Sequence, residues 1–453
     1  MPDRQSNSLD PGRRRFLQGT AAALAGAALG MAPRARAEFT DYRALVCVFL
    51  YGGNDSFNML VPRSTAEYDV YAASRQNLAV ARNSLLPITP STQDGALYGL
   101  HPRMGALLPL FSGGDLALVA NTGPLVRMVT RAEVMNRSAP LPPQLFSHND
   151  QQDQWHSAKG RIELRTGWAG RAADLLAGEL AAQRLPTNIS YTGTALFQIG
   201  SSSSPYVLSE DGAPSYFVLT DPSAYLYAER RQMFERLLGR SYSSPIARSV
   251  NAVHRRSLQY ADIANAALAR APTLRTVFPP SELAGQLRAA ARAISVRGEL
   301  AMQRQVFLVS AGGFDTHDNQ NALQPNLLGD VADSLAAFQA ALEEIGIAGS
   351  VVTFTQSDFG RTLTSNGDGT DHGWGGHQIV MGGPVRGGDI YGTMPRLEID
   401  GPDDAGAGRM IPTQSVDQYA ATLLRWFGLT EPQLDSALPN LVNFARRDLG
   451  FFA

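Results

Sequence analysis

The chain has 453 residues, 39 of them basic and 41 acidic, for a formal charge of −2. So even a balance gives no electrostatic basis for binding nucleic acid or an anionic membrane. Cys47 is the only cysteine, which excludes an internal disulfide and a thiolate metal cluster.

The first element is an export signal. Arg13-Arg14-Arg15-Phe16-Leu17-Gln18 places a twin arginine ahead of a phenylalanine and a leucine. Residues 19–31 are weakly apolar and free of charge, and Ala35-Arg36-Ala37 supplies the small-x-small pattern of a signal-peptidase site. The apolar stretch is shorter than the roughly 20 residues a bilayer span needs. The expectation is a twin-arginine signal peptide over residues 1–37, cleaved after Ala37. It implies the twin-arginine translocase as an export partner, a periplasmic or secreted location and no stable membrane span. Removing residues 1–37 takes away six arginines and two acids, leaving 33 basic and 39 acidic residues and a charge of −6. The route carries folded proteins, often with a metal or cofactor already in place.

Four apolar runs follow, each ending in glycine and polar residues. Residues 44–51 lead into Gly52-Gly53-Asn54-Asp55, with Cys47 in the run as a buried, inert thiol. Residues 116–120 lead into Asn121-Thr122-Gly123, and a helix is expected near residues 149–158. Residues 201–205 have the composition of a loop. Residues 221–304 are mostly helical in pattern, with a break at Pro279-Pro280. Residues 305–310 lead into Gly312-Gly313-Phe314-Asp315-Thr316-His317, and residues 350–355 into Ser357-Asp358-Phe359-Gly360-Arg361. Between those two runs, Leu328, Val331, Leu335, Phe338, Leu342 and Ile345 recur at helical spacing, which makes a βαβ crossover. Residues 416–427 form an amphipathic helix stopped by Gly428. Continuous apolar runs suit strands buried on both faces. The expected fold is α/β: one domain over residues 38–453, with a mostly parallel central sheet, helices on both faces and a helical insertion at about 221–304.

Ligands of open parallel sheets bind outside the carboxyl ends of the strands. Asp55, Asp315 and Asp358 fall at such ends, and His317 lies two residues beyond Asp315. A further loop carries Asp371, His372 and His377. Three of the seven histidines thus fall between positions 315 and 377. Carboxylates with neutral imidazoles suit Zn²⁺, Mn²⁺ or Fe²⁺, and with fewer histidines Mg²⁺ or Ca²⁺. Ligands from separate loops suffice for two neighbouring divalent metals clamping the attacking and leaving oxygens of an ester. Any one aspartate after a strand has a plainer role as an N-cap or turn former. The combination is what points to a metal.

Several stretches also carry a family resemblance: Gly52-Gly53-Asn54-Asp55, Leu100-His101-Pro102, Ser147-His148-Asn149-Asp150-Gln151, residues 312–317 and 357–362, Asp371-His372-Gly373 and Gly382-Gly383. The sequence resembles a family of twin-arginine-exported bacterial proteins described only as a domain of unknown function, numbered 1501. That family looks like a branch of the alkaline phosphatase, sulfatase and phosphoglycerate mutase superfamily, so the resemblance implies an alkaline-phosphatase-like sheet. It also implies Asp55 as ligand of one metal and Asp315 with His317 as ligands of another. Asp358 and the Asp371-His372 pair compete for the place of the superfamily's Asp-His dipeptide, and His377 resembles its final histidine. Two features depart from the pattern: Asp358 is followed by Phe359 rather than histidine, and Asp315 and His317 are unusually close.

The superfamily's nucleophile lies at a helix N-terminus, where Ser147 is the candidate, with an N-cap role as the alternative and Thr122 as a second candidate. Arg361 is suited to bind a substrate phosphate or sulfate, or else to pair with a carboxylate inside the fold. His148 and His156 either face the site, His148 as a substrate contact, or lie along a surface helix. The expected function is a periplasmic metal-dependent hydrolase of phosphate or sulfate esters, using Ser147 or a metal-activated water on a small anionic ester or glycan-derived substrate. The alternative is a binding or assembly protein that kept the fold without turnover.

Overall fold

Residues 43–50 leave little choice of structure, because their side chains can be buried only if both faces of a strand are covered. In the computed structural model they form strand β1 (Arg43–Leu50), buried throughout beyond its first residue. The structure describes residues 39–92, 97–161, 165–214 and 221–452. The expected signal peptide therefore lies outside the described residues.

After helix α1 (Thr65–Arg75) come strand β2 (Leu116–Gly123), helices α2 (His148–Ser157) and α3 (Trp168–Leu176), and the short strands β3 (Asn188–Ser190) and β4 (Tyr206–Val207). A helical middle follows: α4 (Tyr227–Gly239), α5 (Pro245–Leu268) and α6 (Glu282–Ser295). Strand β5 (Arg304–Ala311), helix α7 (Gln320–Glu344) and strand β6 (Val351–Ser357) make the crossover expected from the apolar spacing. The chain then forms β7 (Arg361–Ser365), β8 (Thr370–His372), β9 (Gly376–Met381), β10 (Ile390–Tyr391), β11 (Gln414–Ser415) and helix α8 (Val416–Phe427).

Among the described residues, one nine-stranded sheet has the order β10-β2-β9-β6-β1-β5-β3-β4, with β11 also beside β2, while β7 and β8 form a separate hairpin. Strand β9 runs antiparallel to β2 and β6, and the other pairings are parallel. The sheet is therefore mostly parallel. The crossover does not join neighbours: β5 and β6 each pair with β1, Cys47 lying opposite both Leu308 and Phe354. Local periodicity gives a crossover its direction; β1, apolar from Ala44 to Leu50, takes the slot between because only the sheet centre covers both its faces.

Helices cover both sides. Ala44, Val46 and Val48 face Leu287 and Ile294 of α6 and Leu335 and Phe338 of α7 in one core cluster. On the opposite side the Phe49 ring lies 4.7 Å from the His156 ring of α2, and Phe354 lies 5.9 Å from both Trp168 of α3 and Tyr419 of α8. Cys47 is fully buried, and burial pushes its thiol well above the ordinary range. Helix α8 starts with a Ser415–Gln418 capping box and ends at Gly428, whose φ of 118° is open to glycine alone at little cost.

The helical middle divides in two. Helix α6 buries nine residues and is part of the core, whereas α4 buries none and α5 only Ala264, Ala267 and Leu268 near its end. Among the described residues no helix is long and apolar enough to cross a membrane.

Candidate metal centre

Strand register brings the loops of the site to one level. Leu50 at the end of β1 lies opposite Ala311 of β5 and Ser357 of β6, so three loops leave the sheet side by side. Gly52 lets two of them touch: its φ is 112°, and an added Cβ would stand 2.3 Å from the Asp315 backbone nitrogen. The β7–β8 hairpin brings in the rest, pairing Arg361 with His372, and α2 presents His148 at its first position.

Asp315 stands at the meeting point. Its Oδ1 accepts from Arg361 Nη1 at 2.6 Å and lies 3.0 Å from His317 Nε2 and 3.4 Å from His372 Nε2. Its Oδ2 lies 3.3 Å from His148 Nε2. Donor atoms of His148, Asp315 and His372 all fall within 4.8 Å of one another. Three imidazoles thus turn the same nitrogen, Nε2, toward one carboxylate.

What lies behind each ring explains why. His372 Nδ1 is 2.7 Å from the Phe146 carbonyl, which can only accept. That nitrogen therefore carries the proton, and in the neutral ring Nε2 is a bare lone pair. His148 Nδ1 faces Asp358 Oδ2 at 2.6 Å, and His317 Nδ1 faces Asp371 Oδ1 at 3.2 Å. Aiming the Phe146 carbonyl takes backbone strain, since Phe146 has a φ of 72°, uncommon for a bulky residue.

The consequence is a set of lone pairs turned toward one another. His317 Nε2 and His372 Nε2 are 2.9 Å apart, so two lone pairs would face each other beside a carboxylate. Only a shared proton or a cation resolves that contact. Donors bound to one ion at about 2.0–2.1 Å stand about 3.3 Å apart in a tetrahedron, close to the 2.9–3.4 Å that separates His317 from His372 and each of the three Nε2 atoms from its nearer Asp315 oxygen. Imidazole and carboxylate are ordinary donors for a borderline divalent ion. The residues fit such an ion.

Charge within the cluster is tuned by its neighbours. Burial pushes Asp315 up, but the Arg361 guanidinium, His148 and His317 outweigh it and hold the carboxyl below its ordinary value. Burial, with His148 and Arg361 close by, holds His372 below the usual imidazole range. For Asp371, Asn366 and His317 overcome burial and lower the carboxyl.

Other residues singled out in the sequence stand elsewhere or do something else. Asp55 is buried in an ion pair with Arg75, both side chains wholly inaccessible, and also accepts from Gln320. It contacts none of the clustered histidines. Asp358 is fully buried and faces His148 and Gln152 instead of the meeting point. His377 spends its Nδ1 lone pair on the Asn121 amide at 3.0 Å, and burial drops its pKa to about 3. Arg361 is inaccessible and spends four of its five donors on Asp315, the Gly52 carbonyl and Thr370. It clamps three loops together, and its burial keeps it from reaching out to a substrate.

Ser147 donates to Asp150 at 2.7 Å within its own helix turn. Thr122 is buried, and His156 lies in the core rather than on a surface helix. Arg409 is new: its Nε donates to the His372 carbonyl at 3.1 Å and its guanidinium sits 4.7 Å over the Phe146 ring. Gln320 and Thr370 also join the site, bridging Asp55 to Arg361. Nothing local marks these three, because their partners are distant in sequence. The Gly406–Gly408 turn before Arg409 is the only hint.

A mostly parallel α/β sheet with a histidine and aspartate cluster at its carboxyl edge defines an α/β protein with a candidate divalent-metal site. The family model for proteins of unknown function named DUF1501 matches residues 42–424, and the chain belongs to that family. Comparison with curated proteins gave no match. Among solved structures, the lipoteichoic acid synthase LtaP from Listeria monocytogenes is similar at 10% identity and a TM-score of 0.35, over 86% of this chain and 73% of that one. The PsFucS1 sulfatase from Pseudoalteromonas sp. is similar at 10% identity and a TM-score of 0.30, over 94% of this chain and 73% of that one. Likeness this loose leaves the chemistry to be argued from the side chains.

Proposed function

We propose that the chain is an exported hydrolase of phosphate or sulfate esters that works with a divalent metal held by His148, Asp315 and His372, with His317 as a fourth donor. The observation that supports this reading most is the convergence of three Nε2 atoms on one carboxylate at the sheet's carboxyl edge. A bound ion there would act as a Lewis acid and would lower the pKa of a water it coordinates. The chain's own residues do the rest. Arg361 neutralises and orients Asp315. Arg409, half-buried beside His372, supplies the cation that Arg361 does not, and the N-terminus of α2 adds a favourable dipole for an anionic ester. Export rests on the twin arginine and on Ala35-Arg36-Ala37.

The test is a panel of chromogenic phosphate and sulfate esters, assayed with Zn²⁺ and Mn²⁺ on protein of known metal content. Ion-dependent turnover is expected, falling by about 100-fold or more in Asp315→Ala and His372→Ala, which corresponds to a few kcal/mol of barrier. A stoichiometric ion with no turnover on any ester sinks the hydrolase and favours a binding or assembly role. Export is tested by replacing Arg13 and Arg14 with lysine, which should hold the protein in the cytoplasm.

A further inference from the structure

The carboxylate behind His148 points to a division of labour within the site. Asp358 follows a sheet strand, as a ligand-bearing aspartate would, yet its Oδ2 lies 2.6 Å from His148 Nδ1 and accepts from Gln152 Nε2 at 2.9 Å. The next residue, Phe359, has no ligating atom. Its ring is 4.8 Å from the His148 ring and 4.6 Å from the His372 ring, while those two rings are 4.3 Å apart. Asp358 and Phe359 are both almost wholly buried.

We propose that the protein holds a single borderline transition-metal ion on Nε2 of His148, His317 and His372 and on Asp315, and that Asp358 with Phe359 positions the histidines without touching the ion. The inference rests on the metal reading above and deepens it. Asp358 fixes the proton of His148 on Nδ1, which leaves Nε2 as the ligating lone pair and makes the ring a stronger donor. Phe359 blocks rotation of both flanking rings. The Phe146 carbonyl and Asp371 do the same work behind His372 and His317. His148 Nε2 is buried without a hydrogen bond, as are Asp358 Oδ1, Asp55 Oδ1 and His377 Nε2, and it stands 3.3 Å from Asp315 Oδ2. Three imidazoles to one carboxylate select Zn²⁺, Fe²⁺ or Co²⁺ over the oxygen-seeking Mg²⁺ and Ca²⁺.

Zn²⁺ and Co²⁺ titrations of the full mature chain, followed by calorimetry and by the visible spectrum of bound Co²⁺, test this directly. One ion per chain is expected, with no comparable binding of Mg²⁺. Asp358→Asn should weaken Zn²⁺ affinity about 10–100-fold while keeping one site and the melting temperature of the metal-free protein. Gln152→Ala, a milder change outside the core, should weaken it less, in the same direction. Unchanged affinity in both variants overturns the proposal, as does a second ion per chain that disappears with Asp358. These readouts use no ester, so a bound ion without turnover removes only the hydrolase reading.

Discussion

At the scale of single residues, three aspartates that look alike in sequence have three different fates. Asp315 stands where three imidazoles meet, Asp358 stands behind His148, and Asp55 neutralises a buried arginine. Removing one partner of a buried ion pair leaves the other charge uncompensated, which costs about 3–5 kcal/mol. Asp55→Ala should therefore lower stability by about that much in denaturant unfolding. The Ser147 hydroxyl is occupied within its helix turn. Ser147→Ala is expected to retain turnover and to cost about 1 kcal/mol or less of stability, as an N-terminal helix contact does; complete loss of turnover with an intact fold identifies it as a nucleophile.

At the scale of elements, the four long apolar strands and α8 were legible because burial on both faces and helical spacing are local properties. The site loops were not, since their geometry depends on how closely two backbones approach. Gly52 is the clearest case. Gly52→Ala must push the β1 loop off the Asp315 backbone, and a fall in metal affinity together with about 1–3 kcal/mol of lost stability is expected. The outer helices make the opposite case. Leu237 of α4 is 47% exposed and Val253 of α5 is 67% exposed. Leu237→Glu and Val253→Glu should each change unfolding free energy by no more than about 0.5 kcal/mol, and a larger loss shows that something covers them.

For the whole molecule, buried titratable groups set the response to acid. Burial holds His101 at about 4 and both His156 and His377 at about 3. The unfolded chain takes up protons on these rings below about pH 6.5, while the folded chain does so only near pH 3–4. Their contribution is complete above about pH 6.5 and is lost as pH falls. Asp417 acts the other way. Burial raises it to about 7, so its contribution is complete below the unfolded value and is lost as pH rises toward 7. Three rings outweigh one carboxyl, and the melting temperature should rise from pH 4 to 6.5. Asp417→Asn removes the opposing group. The variant is expected to gain stability over the parent at pH 8, with the gain shrinking toward pH 4; a gain independent of pH means that Asp417 does not titrate there.

The sequence by itself determined the four long apolar strands, their mostly parallel direction, the family and the concentration of acids and histidines after strand ends. All of these follow from composition and spacing along the chain. Tertiary structure alone decided which nitrogen of each ring faces the shared Asp315 carboxylate. His148 and Asp358 are 210 positions apart and His372 and the Phe146 carbonyl 226. A histidine's tautomer is set by the oxygen behind it, and no local pattern encodes which oxygen that will be.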